Sequence, residues 1–339
     1  HLEAVLGGTL GAPRLSGALE ILEANARLSA TGIELTGIEL AVTGAAEGPL
    51  RVRGKLSSGA GHLDIEGSAD VAAPGGPAVD LTVRGEDFRA VRLPEATVVV
   101  SPDLRLQGTG SYHLSGRLLI PRAAIELKEL PSGTVDVSGD EVVIGEDSAE
   151  SRRAVAQNLT ARVRVELGKA VTFEGFGLKT RLVGALDTVV DARGARVNGA
   201  IELRDGQYKA YGQDLTVERG RLLFAGTADN PDVDLRAVRV SHSGAVKAYL
   251  VMSGPLFKPR PRVYSKPALS ETEALSYLIT GKGLSTAAGE DGFNIGSAAL
   301  AMGLSTADPA MQKLTAGLGL DEVSVSSGED ALEDSSVTL

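Results

Sequence analysis

From about residue 15 to about residue 265, apolar and polar residues alternate one for one in run after run. LRVRGKL (50–56), HLDIEG (62–67), VDLTVRG (79–85), TVDVSGD (134–140), TARVRVEL (160–167), NGAIELRD (198–205), DLTVE (214–218) and DVDLR (232–236) share the pattern. A period of two belongs to an extended strand, whose successive side chains point to opposite faces. Gly, Pro, Asn and Asp interrupt the runs every 8 to 12 residues or so. This rhythm predicts an antiparallel or solenoid all-β architecture in which each strand has an aliphatic face and a charged face.

The aliphatic faces must leave water. Three arrangements achieve this: a sandwich, a solenoid or barrel, or a sheet curled around its own apolar face. Composition bears on the choice. Hydrophobic residues make up 43% of the chain, yet aromatics are only 4% and Trp is absent. A packed sandwich draws on bulky rings, each of which buries a large area. Smooth Val, Leu, Ala and Ile walls suit a partly open groove better, and also suit an aliphatic solenoid core. No fixed-length repeat aligns along the chain.

After residue 267 the periodicity changes. PALSETEALSYLITGKGL carries a capping box, with Ser270 at the N-cap and Glu273 three residues on, and Gly281 closes the predicted helix. Further helices are predicted over 293–304 and from Asp308, with Pro309 in the first turn, before LDEVSVS (320–326) returns to alternation. The polar stretch GEDSAESRRAVAQN (145–158) reads as an exposed loop. The expected organisation is a strand-rich groove segment over 1–145, a core strand segment over 146–267, a helical segment over 268–319 and the start of a further strand region over 320–339.

The inventory for chemistry is poor. A net charge of -10 leaves no basic surplus to neutralise phosphates, which argues against nucleic acid. Cysteine is absent, so disulfides, thiol nucleophiles and Cys–zinc sites are excluded. His1, His62, His113 and His242 lie far apart with no metal-ligand spacing. No nucleophile elbow, P-loop or dinucleotide fingerprint occurs, and GFGLKT (175–180) reads as a turn or bulge. GEDS (145–148), GEDG (289–292) and SSGEDALEDSS (326–336) are solvated charge runs without calcium-loop spacing. No metal and no cofactor is expected.

One acidic cluster needs closer reading: RLLFAGTADNPDVDLRAVRV, residues 221–240. Asp229, Asn230 and Pro231 are turn chemistry, since Asp and Asn satisfy backbone groups and Pro fixes φ. Asp232 and Asp234 alternate with Val233 and Leu235, so on a strand they point away from the apolar face. The cluster is predicted to be a turn and a solvated strand face.

The order of these segments resembles the C-terminal domain of the TamB family. The family's G-x-Y-x-A-Y-G-Q core is matched by Gly206, Tyr208, Ala210, Tyr211, Gly212 and Gln213. Its E-R-G-x-L-x-F strand pair is matched by Glu218, Arg219, Gly220, Leu222 and Phe224, and its D-N-P by Asp229, Asn230 and Pro231. A second block, VSGPLFKPRPRVYSKPALSETEALSYLITGKGL, is similar through Ser253, Gly254, Pro255, Pro259, Tyr264, Ser265, Pro267, Leu269, Ser270, Glu271, Leu275, Ser276, Tyr277, Leu278 and Gly281. The resemblance is close over about 170–285 and N-terminal to that rests on strand rhythm alone.

The resemblance implies an elongated, curled β-sheet with an aliphatic interior, the β-taco, from an AsmA-like periplasmic envelope protein. It implies an inner-membrane anchor helix absent from this sequence, an outer-membrane barrel partner, TamA, and roles in phospholipid movement and barrel-protein assembly. Candidate groove-lining residues are Val163, Val165 and Leu167; Leu215 and Val217; Leu222 and Phe224; Val233 and Leu235. Apolar parity shifts between Val217 and Leu222, so Gly220 is predicted to mark a bulge or tight turn. The leading expectation is a non-enzymatic scaffold that conducts acyl chains. The alternatives are a β-augmentation platform for nascent barrel strands, or a secreted β-solenoid carbohydrate-active protein or adhesin.

Overall fold

The computed structural model describes residues 2–9, 12–44, 48–127, 158–175, 177–210 and 213–283. The strands predicted at 134–140 and 320–326 and the helices predicted after residue 292 lie outside these residues. The described chain is all-β apart from a short helix near its C-terminal end. The strands are β1 (Leu2–Thr9), β2 (Ala12–Leu28), β3 (Ile33–Gly44), β4 (Leu50–Ser58), β5 (Gly61–Asp70), β6 (Ala78–Glu86), β7 (Phe88–Arg92) and β8 (Ala96–Thr109). They continue with β9 (Ser111–Leu127), β10 (Leu159–Gly175), β11 (Leu178–Asp191), β12 (Gly194–Ala210), β13 (Gln213–Gly226), β14 (Asp232–Val240), β15 (Lys247–Pro255) and β16 (Arg260–Lys266), before α1 (Glu271–Thr280).

The strands follow one another in chain order in a single open sheet, with β7 off the path and paired to β8. Among the described residues the alternation is thus resolved as one sheet, with neither a sandwich of two layers nor a solenoid. Among β1–β11 and β14–β16, neighbouring strands pair antiparallel except β9 with β10, which are parallel. Parallel neighbours need a crossover connection, and here residues 128–158 join them. Among the described residues the strands group into two compact units, one of residues up to 204 with 222–231 and one of residues 205–221 with 232–283.

In the first unit, register keeps the aliphatic residues of successive strands side by side. One row runs Ile21, Leu40, Gly54, Ile65, Val83, Leu104, Gly116, Val163 and Thr188. The next runs Leu19, Val42, Val52, Gly67, Leu81, Leu106, Leu114, Ala161 and Val190. On the opposite face lies a charged row, Glu39, Lys55, Asp64, Arg84, Asp103, Arg117, Arg164 and Asp187. Except at Arg117 and Arg164, neighbours in this row carry opposite charges, so the row favours the same register as the aliphatic ones. Arg84 meets Asp103 at 3.2 Å and Arg164 meets Asp187 at 2.9 Å. These pairs are exposed and screened by water, so each contributes little to stability and more to register.

This part of the sheet is curled, and β7 shows why. At mid-strand β3 and β8 are four strand intervals apart, through β4, β5 and β6, roughly 19 Å in a flat sheet. After Asp87, at φ 49°, β7 prolongs the line of β6 along β8 beyond the shorter β4–β5 hairpin. There the Arg92 N–H donates to the Thr31 carbonyl at 2.8 Å, in the β2–β3 turn. The same strands are then two intervals apart, roughly 10 Å. A sheet narrower at one margin than at its middle must dome. The fit is close: a Cβ on Gly32 would lie 2.1 Å from the Arg92 carbonyl oxygen. Phe88, Ile33, Val99 and Ser58 are buried.

Mid-strand glycines take up the bend. Gly116 has φ 135°, and a Cβ there would sit 2.1 Å from the Asp103 carbonyl oxygen. Gly54, in the same row, has ordinary backbone geometry and 3.5 Å of room. Gly116→Ala is therefore expected to destabilise by about 1–3 kcal/mol, read as a lower urea midpoint, whereas Gly54→Ala leaves the midpoint within the scatter of a surface substitution.

Candidate functional site

Parity and burial together define the site. In the two aliphatic rows of the first unit, Ala161 alone is buried; the other members are half-buried or exposed. A packed core would bury almost all of them. Val163, Val165 and Leu167 sit on this face of β10, half-buried, aligned with Gly116, Leu118 and Ile120 of β9 and with Thr188, Leu186 and Gly184 of β11. Leu222 and Phe224 of β13, also in this unit, are half-buried.

The second unit treats the same kind of face differently. Leu215, Val217 and Val233 are buried there, while Leu235 is half-buried. Register places Val233, Leu235, Ala237 and Arg239 of β14 on one face with Gly254, Met252, Leu250 and Ala248 of β15. Pro261, Val263 and Ser265 of β16 continue the last three rows. Helix α1 lies over the Arg239–Ala248–Ser265 end of this face. Ser265 Oγ donates to the Pro267 carbonyl at 2.8 Å and accepts from the Leu269 N–H at 3.1 Å, anchoring the approach to the helix. Ala274, Leu275, Leu278 and Ile279 are buried under α1.

Local chemistry explains the helix ends. The Ser270 side chain accepts from the Glu273 N–H at 3.2 Å, and Gly281, at φ 76°, closes the last turn. The last turn carries no basic residue of its own, although cations there are favoured by the helix dipole. Arg239 supplies one from the sheet: its guanidinium donates to the carbonyls of Leu278 and Ile279. Burial pulls the pKa of this guanidinium below its ordinary value. Sequence parity alone marks Arg239 as an oddity, a cation in an aliphatic row, but only the docked helix gives it a partner.

The acidic cluster resolves as backbone and strand chemistry. Asp229 is held below the usual carboxylate range by the Thr227 hydroxyl and by the backbone N–H groups of its own turn. Asn230 and Pro231 complete the link to β14. Asp234 points away from the aliphatic face and pairs with Arg219 at 2.8 Å, beside Arg236 with Glu218 at 3.0 Å. Around Gly220 the expected strand pair is a single strand, β13. Glu218 and Arg219 are both exposed and Gly220 is buried, so the alternation shifts by one residue inside the strand. Gly177, in GFGLKT, has φ 80° in the β10–β11 turn.

Among the described residues no group of three His, Asp or Glu side chains is placed to hold a metal ion. His62 lies 3.4 Å from Asp64, His113 bonds the Thr160 hydroxyl, and His242 faces the Gly281 carbonyl. No helix among the described residues is long and apolar enough to cross a membrane.

The family model for the TamB C-terminal domain matches residues 55–338, well beyond the two motif blocks. The chain is also 26% identical over 335 residues to the translocation and assembly module subunit TamB of Haemophilus influenzae. That alignment covers 94% of this chain and 26% of the relative, so the chain spans about a quarter of that protein's length.

Two substitutions probe the covered face of the second unit. Val217→Asp places a carboxylate in a buried position and is expected to destabilise by several kcal/mol, seen as lost thermal cooperativity. Arg239→Gln is expected to raise amide exchange across Glu271–Thr280 on the order of tenfold, because a charge-assisted hydrogen bond contributes about 1.5–3 kcal/mol.

Proposed function

The chain belongs to the TamB family, and on that premise we propose that it is a non-enzymatic envelope scaffold whose aliphatic face carries phospholipid acyl chains. The observation that carries the reading is the pair of apolar rows from β2 to β11, held in register and half-exposed. An acyl chain laid along them leaves water at roughly 0.8 kcal/mol per methylene. The rows hold no charge and no deep pocket among the described residues, so nothing fixes a chain at one position, and movement along the face meets low barriers. The head group stays at the open edge, in water.

The relative's name places it in a translocation and assembly module. By that relation, and by the family resemblance, the proposed setting is the periplasm. The full-length protein is then anchored to the inner membrane, with the outer-membrane barrel TamA as its partner. Groove lining is proposed for Val163, Val165, Leu167, Leu222, Phe224 and Leu235, which are partly accessible. Leu215, Val217 and Val233 are buried and support the wall from within.

Accessible positions provide the test. Val165→Asp and Leu235→Asp are expected to retain a strand-rich far-UV spectrum while transfer of fluorescent phospholipid between vesicles falls by at least an order of magnitude, as a charge in an apolar path requires. Lipid extracted from the purified unsubstituted protein should be phospholipid by mass spectrometry, and depleted in both variants. Transfer at the unsubstituted rate in folded variants overturns the reading.

A further inference from the structure

The β15–β16 hairpin departs from the charge balance of the whole chain. The chain carries a net charge of -10, yet no acidic residue occurs between Asp234 and Glu271. The hairpin itself contains Lys247, Lys258, Arg260, Arg262 and Lys266, all exposed. None of the five has an ion-pair partner among the described residues. Elsewhere the outward charges pair across strands, as Arg105 does with Asp80 at 2.6 Å and Arg219 with Asp234.

The hairpin's tip is apolar. Leu256 is 44% and Phe257 71% exposed, in a turn closed by the Lys258 N–H on the Pro255 carbonyl at 2.9 Å. Pro255, Pro259 and Pro261 stiffen it by fixing φ. Lys258 is in the turn, and Arg260 and Arg262 are two residues apart on β16, so they point to the same side.

We propose that this tip docks on an anionic lipid bilayer. Leu256 and Phe257 enter the boundary between head groups and acyl chains, and Lys258, Arg260 and Arg262 engage the phosphodiesters around them. A convex wedge of two apolar side chains ringed by cations has the chemistry of an interfacial anchor. It does not suit a folded protein partner, which needs about 800 Å² of matching surface per side. Lys247 and Lys266 lie at the far end of the hairpin, roughly 20 Å from the tip. That is more than two screening lengths of about 8 Å at physiological salt, so they take little part. Tyr249 and Tyr264 stack at 4.8 Å beside them, and Lys266 lies over the Tyr249 ring at 5.9 Å.

The chain has no Trp, so Phe257→Trp creates a single fluorescent reporter at the tip. With vesicles containing phosphatidylglycerol its emission should shift to the blue and the protein should float with them. With phosphatidylcholine alone neither should happen, and raising salt should reverse both. Replacing Lys258, Arg260 or Arg262 by Ser is expected to weaken flotation on the order of fivefold each, and Phe257→Ser to weaken it further. Lys247→Ser with Lys266→Ser serves as the control, with flotation and spectrum unchanged. Flotation without a blue shift at position 257 overturns the proposal and assigns lipid contact to another surface, the aliphatic face included. Equal loss from the Lys247 and Lys266 substitutions overturns tip-first docking. Capture by an acidic protein surface with no vesicle binding overturns the lipid assignment.

Discussion

Everything in this molecule follows from keeping aliphatic side chains on one face of a sheet while no second sheet covers that face among the described residues. An apolar face left flat in water costs about 25 cal/mol per Å², and a flat, exposed sheet also invites association. Curling reduces the exposed area without closing the face. In the first unit the curl is forced by strand count: β7 slips past the short β4–β5 hairpin and joins the β2–β3 turn to β8. The bend then passes through positions such as Gly116, where no side chain fits.

Register is the second requirement. A slip of one residue between any two strands would turn the aliphatic rows outward. Such a slip would also carry the Glu39–Asp187 row of charges onto the aliphatic face. The parallel β9–β10 pair preserves the rows even where the alternation of chain direction is broken, matching Gly116 with Val163 and Leu118 with Val165.

The second unit shows what the same kind of face looks like when covered. Under α1, Ala248 and Leu250 are buried, whereas Met252, farther from the helix on the same strand, is half-exposed. The cover is fastened by polar contacts at its ends, Ser265 below and Arg239 above. An aliphatic helix face on an aliphatic sheet has no directional preference of its own, so these contacts set where the helix sits.

Much of this is legible in the sequence alone. Period-two alternation specified strands, their two faces and the side on which Val163, Val165 and Leu235 lie, because side-chain direction in a strand is set by the backbone alone. The Ser270–Glu273 spacing specified the start of α1, because capping is local hydrogen bonding. The motif order carried the family. Tertiary structure decided which aliphatic residues stay accessible: Val165 and Val217 read alike in sequence, yet one is half-buried and the other buried. It also decided that the Glu218–Phe224 stretch is one strand, that β9 and β10 run parallel, and that β7 draws the sheet into a curl. These depend on contacts between residues distant in the chain, and a local pattern of apolar and polar residues holds no record of which distant strand it will meet.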